Sequence, residues 1–138
     1  MAITKTERQI KFATANTKSI SAGGNDTSDA ITGVADEILI TQTIKADNAG
    51  TPASGDTVDV YVMKTAGDPD ADPDSADEYP DVNHLDHLCT LDTNATDPAI
   101  TTKQFSVAGC TAWKLYFESN AATNSITVSS SGHGLDLE

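Results

Sequence analysis

Basic residues are scarce. Eight lysines and arginines stand against twenty-one aspartates and glutamates, giving a formal charge of −13 over 138 residues. A nucleic-acid backbone is gripped by clustered Lys and Arg, so this balance argues against such a partner. It argues equally against an anionic membrane surface. Long hydrophobic runs are missing too: nothing reaches the roughly 18 apolar residues of a membrane-spanning helix. The start, MAITKTERQIKF, has no apolar stretch of a secretion signal, so a product made and kept in a cytoplasm is expected. Cys89 and Cys110 are the only cysteines. They can pair across their loop in an oxidising setting, but two buried free thiols suit a cytoplasmic product better. Aromatics make up 5% of the chain. Catalytic signatures are lacking as well. There is no G-x-S-x-G elbow, no phosphate-binding glycine loop, and no acid and base at usable spacing, so no enzyme is expected. Asn25-Asp26-Thr27 and Asn94-Ala95-Thr96 match the glycosylation acceptor pattern, which means little without secretion.

What is abundant is Thr, Ser, Ala, Asp, Asn and Gly, a composition that favours strands and turns over helices. The length suits one domain, burying about two-thirds of its unfolded surface. Period-two alternation dominates. DEILITQTIKA (36–46) places Ile38, Ile40 and Ile44 on one face, with Gln42 interrupting it. TVDVYVMK (57–64) sets Val58, Val60 and Val62 against Asp59, Tyr61 and Met63. WKLYFES (113–119) sets Trp113, Leu115 and Phe117 against Lys114, Tyr116 and Glu118, and SITVSS (125–130) turns Ile126 and Val128 inward. Weaker strands fall at 9–13, 17–21, 86–92 and 100–107, while leucine spacings of three within 79–91 allow a short helical turn. Turn-forming clusters at 22–26, 47–56, 66–70, 93–98 and 107–112 separate the runs. The pattern predicts an all-β fold: a single antiparallel β-sandwich, Ig-like or jelly-roll-like, with a basic N-terminal arm. Residues 1–20 form the arm or a first edge strand, and residues 21–138 the sandwich.

Lys5, Arg8, Lys11 and Lys18 face only Glu7 within the first twenty residues, whereas the rest of the chain has four basic residues against twenty acidic ones. A basic arm docking on an acidic partner surface follows as an expectation, and with it a domain that survives deletion of residues 1–18. The acidic loop 67–81, GDPDADPDSADEYPD, alternates Asp68, Asp70, Asp72 and Asp74 in a manner suited to calcium. An EF-hand frame started at Asp70 fails, because Ser75 sits where glycine is needed and Asp81 replaces the closing Glu. A solvated, proline-stiffened loop is the preferred reading, with no cofactor expected and calcium as the alternative. His84, His87 and Cys89, with Cys110 or His133, make a weaker zinc grouping. Tyr61 and Tyr116 share the outward parity of two strong strands and could form a sugar-stacking or protein-binding patch if those strands are neighbours, though burial under the edge coverings of the sandwich is the preferred reading.

Residues 56–120 resemble small structural proteins of tailed bacteriophages. The resemblance is carried by DTVDVYVMKTAGDPDADPDSADEYPD, LCTLDTNATDPAITTKQFSV and WKLYFESN, with the closing SITVSS strand. It implies a non-enzymatic virion component, in the first place a capsid decoration (cement) protein assembled in the host cytoplasm. The implied partner is the major capsid protein or another virion protein. The implied state is a homo-oligomer, a trimer for preference, since a trimer at capsid three-fold positions multiplies weak contacts. The alternative is a tail or neck component, or an adhesion module that recognises a partner protein or a cell-surface glycan.

Overall fold

The computed structural model describes residues 2–70 and 77–137. Among these, ten strands form two antiparallel sheets packed face to face. The strands are β1 (Ile3–Gln9), β2 (Thr17–Ile20), β3 (Asn25–Thr27), β4 (Ile31–Thr32), β5 (Glu37–Asn48), β6 (Thr57–Thr65), β7 (Asp86–Asp92), β8 (Ala99–Ser106), β9 (Ala112–Ser119) and β10 (Ile126–Leu137). The first sheet runs β1-β10-β5-β8, with β2 pairing the other half of β10 beside β1. The second runs β3-β9-β6-β7, with β4 continuing the β3 position along β9. Each sheet therefore has four strand positions. Between positions the chain changes sheet at every connection except the β6–β7 hairpin. That order is the wiring of an eight-stranded jelly roll, and it separates the fold from the immunoglobulin alternative.

The alternation read from the sequence builds the core. Val58, Val60, Val62, Trp113, Leu115, Phe117, Ile126 and Val128 are each at most 3% exposed. Phe105 meets Trp113 edge-on at 5.0 Å between ring centres, and Phe12 packs on Phe117 at 5.7 Å. Ile38 is the exception to its expected parity, at 38% exposed. The β5–β10 register slips there: Leu39 faces Leu135 but Glu37 faces Asp136. The extra residue turns Ile38 out and Glu37 in, as a bulge does.

Residues 1–20 do not hang free as an arm. β1 lies along β10 as an edge strand, and Ile10, Phe12 and Ile20 are buried in the core. Two polar ties hold it. Arg8 clamps Glu37 through two bonds, Nε to Oε1 at 2.9 Å and Nη2 to Oε2 at 2.8 Å. Gln42, the residue that interrupts the apolar face of β5, is fully buried. Its Nε2 donates to the Arg8 carbonyl at 2.9 Å, and its Oε1 accepts from Ser130 Oγ at 2.7 Å. Gly132 and Gly134 make room for this corner. A Cβ on Gly134 would overlap the Glu37 carboxylate, and one on Gly132 the Thr41 carbonyl.

The segment 79–91 forms no longer helix. It contains one 3-10 turn, Val82–His84, whose first turn is capped by Asp81, and then enters β7. A bulge between Val60 and Tyr61 skips Leu88 in the β6–β7 register. That insertion gives the leucines their helix-like spacing within an extended chain. Below the β5–β6 and β7–β8 turns, Asn48 Nδ2 donates to Asp56 Oδ2 and to Thr93 Oγ1, both at 3.0 Å. The Asn48 backbone N–H donates to Asp97 Oδ1 at 2.9 Å. Two turns are thus bonded to one strand end.

Candidate functional site

The outer face of the second sheet is where outward residues of β6, β7 and β9 converge. Tyr61 and Tyr116 stand directly opposite each other across β6 and β9. Their ring centres are 6.0 Å apart, with the planes tilted by 53°. The bulge in β6–β7 brings His87 edge-on to Tyr61 at 5.3 Å. The two tyrosines therefore meet, as their shared parity requires. They do not form a coplanar platform, and Tyr116 is only 8% exposed. Burial, with the charges of Asp59 and Glu118, pushes the Tyr61 phenol above its ordinary pKa. Burial, with Glu118 and Tyr61, does the same to Tyr116.

Beside the rings lies a polar chain that sequence reasoning missed. Asp59 accepts from Thr90 Oγ1 and, at 2.9 Å, from Asn120 Nδ2. His87 Nε2 lies 3.0 Å from Thr90 Oγ1 and 3.7 Å from Asp59 Oδ1. Burial alone would raise the Asp59 pKa. The bonds from Thr90 and Asn120 and the nearby His87 outweigh it, and the carboxyl is held below 3.8. Because Thr90 donates to Asp59, His87 must donate to Thr90. The imidazole therefore does not take the hydroxyl proton, and the arrangement is a tie between strands rather than an activated nucleophile. Asp59 was legible as outward from its parity, but His87 depended on the bulge.

The described end of the acidic loop, from Asp77 onward, meets the other half of this face. Tyr79 lies under Lys114 Nζ at 4.0 Å, and Thr111 Oγ1 donates to Asp77 at 2.8 Å. Carboxylate oxygens of Asp68, Asp70 and Glu78 come within 4.8 Å of one another. Asp68 also accepts from the Asp70 backbone N–H at 2.8 Å. Glu78 thus joins two of the four calcium candidates, while Asp72 and Asp74 lie outside the described residues. Calcium takes six to eight oxygens, so these three carboxylates would supply part of such a shell. The zinc grouping is not assembled: His84 bonds Asp81 at 2.8 Å, His87 faces outward and Cys89 is buried in the core. Both cysteines are free thiols.

Of the four basic candidates, Arg8 is locked to Glu37, Lys18 pairs with Asp26 at 3.3 Å and Lys11 bonds Asn16. Lys5 is exposed on β1. On the outer face of the first sheet a shallow depression of about 150 Å³ is lined by Glu7, Gln9, Ser131, Gly132 and His133. That is well below the ~300 Å³ at which small-molecule pockets begin.

No protein-family model and no curated protein sequence matches this chain. Solved structures share its general shape at a distance. The crystal structure of the SPBc2 prophage-derived protein YomS aligns at a TM-score of 0.48 and 12% identity, over 96% of each chain. A family 16 carbohydrate-binding module aligns at 0.45 and 13%, over 87% of this chain and 74% of that one. A chain of the acid-stable capsid of Helicobacter pylori bacteriophage KHP30 aligns at 0.43 and 16%, over 95% of this chain and 93% of its own. Likeness at these scores and identities assigns no function.

Proposed function

We propose that this chain is a non-enzymatic structural component of a tailed-bacteriophage virion, a decoration protein that binds and stabilises the outer capsid lattice. The observation that carries this reading is the use made of its buried polar side chains. Arg8 and Glu37 hold the N-terminal edge strand, Gln42 and Ser130 join β5 to β10, and Asn48, Asp56 and Thr93 tie turns to a strand. These groups face inward and rigidify a block. Such a block suits a protein whose task is to withstand load. The resemblance of residues 56–120 to small phage structural proteins supports it. Jelly-roll wiring serves viral capsid, lectin and cupin domains alike, which is support from fold analogy alone. Assembly occurs in the host cytoplasm on the major capsid protein. A homo-oligomer, with a trimer at three-fold positions, would add avidity.

The test is co-sedimentation of purified protein with stripped capsids and, separately, with isolated tails, each with calcium and with chelator. Saturable binding to capsids at a fixed ratio supports the decoration role. Binding to tails alone moves the protein to the neck or tail. A loss of binding in chelator would support calcium in the acidic loop.

A second reading rests on the meeting of Tyr61, His87 and Tyr116 on one face. The partly exposed Tyr61 ring beside hydrogen-bonding groups suits an adhesion module that recognises a glycan. Glycan binding lost on Tyr61→Ala would support it, and absence of binding to any glycan by the wild-type chain would remove it.

A further inference from the structure

We propose that the outer face of the first sheet is the docking surface, and that the surface it fits on the virion lattice is polar and near-neutral. This rests on the decoration reading above and names the face that serves it. The inference comes from where the charge is not. Along β1, β10, β5 and β8 the outward positions are fixed by the inward ones: Ile40, Gln42, Ile44, Ala46, Ile126 and Val128 are buried, so their neighbours point out. Cross-strand register carries the same face to β1 and β8. Among the outward residues the charged ones are Lys5 and Lys45 against Glu7 and Asp47, which cancel. The formal charge of −13 therefore belongs to the rest of the chain.

The second sheet shows the contrast. Its outer face carries Asp59 and Glu118 against Lys114, with Asp77 and Glu78 of the acidic loop alongside. The two faces of one sandwich thus differ in kind. Between these balanced charges the first-sheet face is uncharged and hydrogen-bonding. Thr43 bonds Thr102 at 2.9 Å, and Gln104 reaches Thr41 at 3.2 Å. Exposed apolar residues stand at its two edges, Ile3 on β1 at 65% and Ile100 on β8 at 58%. A partner of strong net charge gains no net attraction from a face whose charges cancel, whereas a near-neutral polar surface finds donors, acceptors and apolar contact.

Charge selects between a second copy and a lattice. Two copies meeting face to face bring together two chains of formal charge −13 each, with only a charge-balanced sheet between them. A lattice engages many copies at once, so modest contacts suffice. The acidic sides then point away from the capsid and keep neighbouring copies soluble.

The experiment adds charge to the face. Thr43→Glu/Thr102→Glu places two carboxylates at exposed outward positions, and Gln104→Glu/Ser131→Glu does so at a second pair. Ser54→Glu/Thr123→Glu adds equal charge at exposed turns away from the face. All are compared with wild type for binding to stripped capsids, after circular dichroism and melting confirm folding. The expected result is a loss of affinity of about tenfold or more for both face variants, with the turn variant near wild type. Equal binding by wild type and both face variants overturns the inference while leaving the decoration role standing. Wild-type protein that binds no capsid overturns the decoration reading itself, and this inference with it. Self-association in wild type that the face variants abolish, with capsid binding intact, overturns the lattice in favour of a second copy.

Discussion

Replacing Glu37 with Gln tests how the N-terminal strand is held. Its carboxylate is 2% exposed and accepts two bonds from Arg8, which is itself 17% exposed. Breaking a fully buried ion pair costs about 3–5 kcal/mol, because the remaining charge has no partner. Arg8 keeps one bond, Nη2 to the Gly33 carbonyl at 3.1 Å, and some access to water. The expected loss is therefore about 2–3 kcal/mol, below the fully buried range. Gln also turns an amide N–H₂ toward the guanidinium, donor against donor. For a domain of this size the loss corresponds to a fall in melting temperature of roughly 6–10 °C. Urea denaturation gives the free energy, and a cycle with Arg8→Ala isolates the coupling, expected at about 1–3 kcal/mol. Hydrogen exchange should show residues 3–9 opening first. A loss under ~0.5 kcal/mol, typical of an exposed pair, would refute the reasoning.

Other outcomes follow from the same structure. Deleting residues 1–18 removes Ile10 and Phe12 from the core, each contributing about 1.5–3 kcal/mol by burial, together with the Arg8 tie. The truncated chain should be unfolded by circular dichroism, and a folded one would return this segment to a free arm. Val60→Asp buries an unpaired carboxylate at a position with no exposure and should cost several kcal/mol in urea titration, so equal stability would overturn the strand parity. Asp59 has a folded pKa below 3.8, so its contribution is present above that value and lost as pH falls through the folded pKa. The melting temperatures of wild type and Asp59→Asn should converge in strong acid, and a constant gap would contradict this. Burial pushes the Cys89 thiol up to about 11, so a thiol reagent at pH 8 should react with Cys110 in the native protein and with both only in denaturant.

Strands whose two faces differ were readable in advance. Val58, Val60 and Val62 alternate with Asp59 and Tyr61, and burial follows that alternation until Met63, which is buried beside Val62. What misled was local geometry that one residue can reset. The bulge at Ile38 reversed parity at the start of β5, and the one beside Leu88 made a strand look helical. Gln42 looked like a flaw in a buried face because its partners, Arg8 and Ser130, lie 34 and 88 residues away. The same distance hid the role of Arg8, which read as a free cation until Glu37 turned inward. Tyr61 and Tyr116 were placed on one face by parity, but their tilt and the burial of Tyr116 depend on packing. The neutral face of the first sheet needed strand order, since its residues come from both ends of the chain and the middle.

The proposed strengthening of a capsid is tested most directly by genome retention. Capsids filled with DNA and stripped of decoration are heated with and without the purified protein, and released DNA is followed by dye fluorescence. A decoration protein should raise the release temperature, saturating at a fixed ratio of protein to capsid. An unchanged release temperature at saturating protein would contradict it.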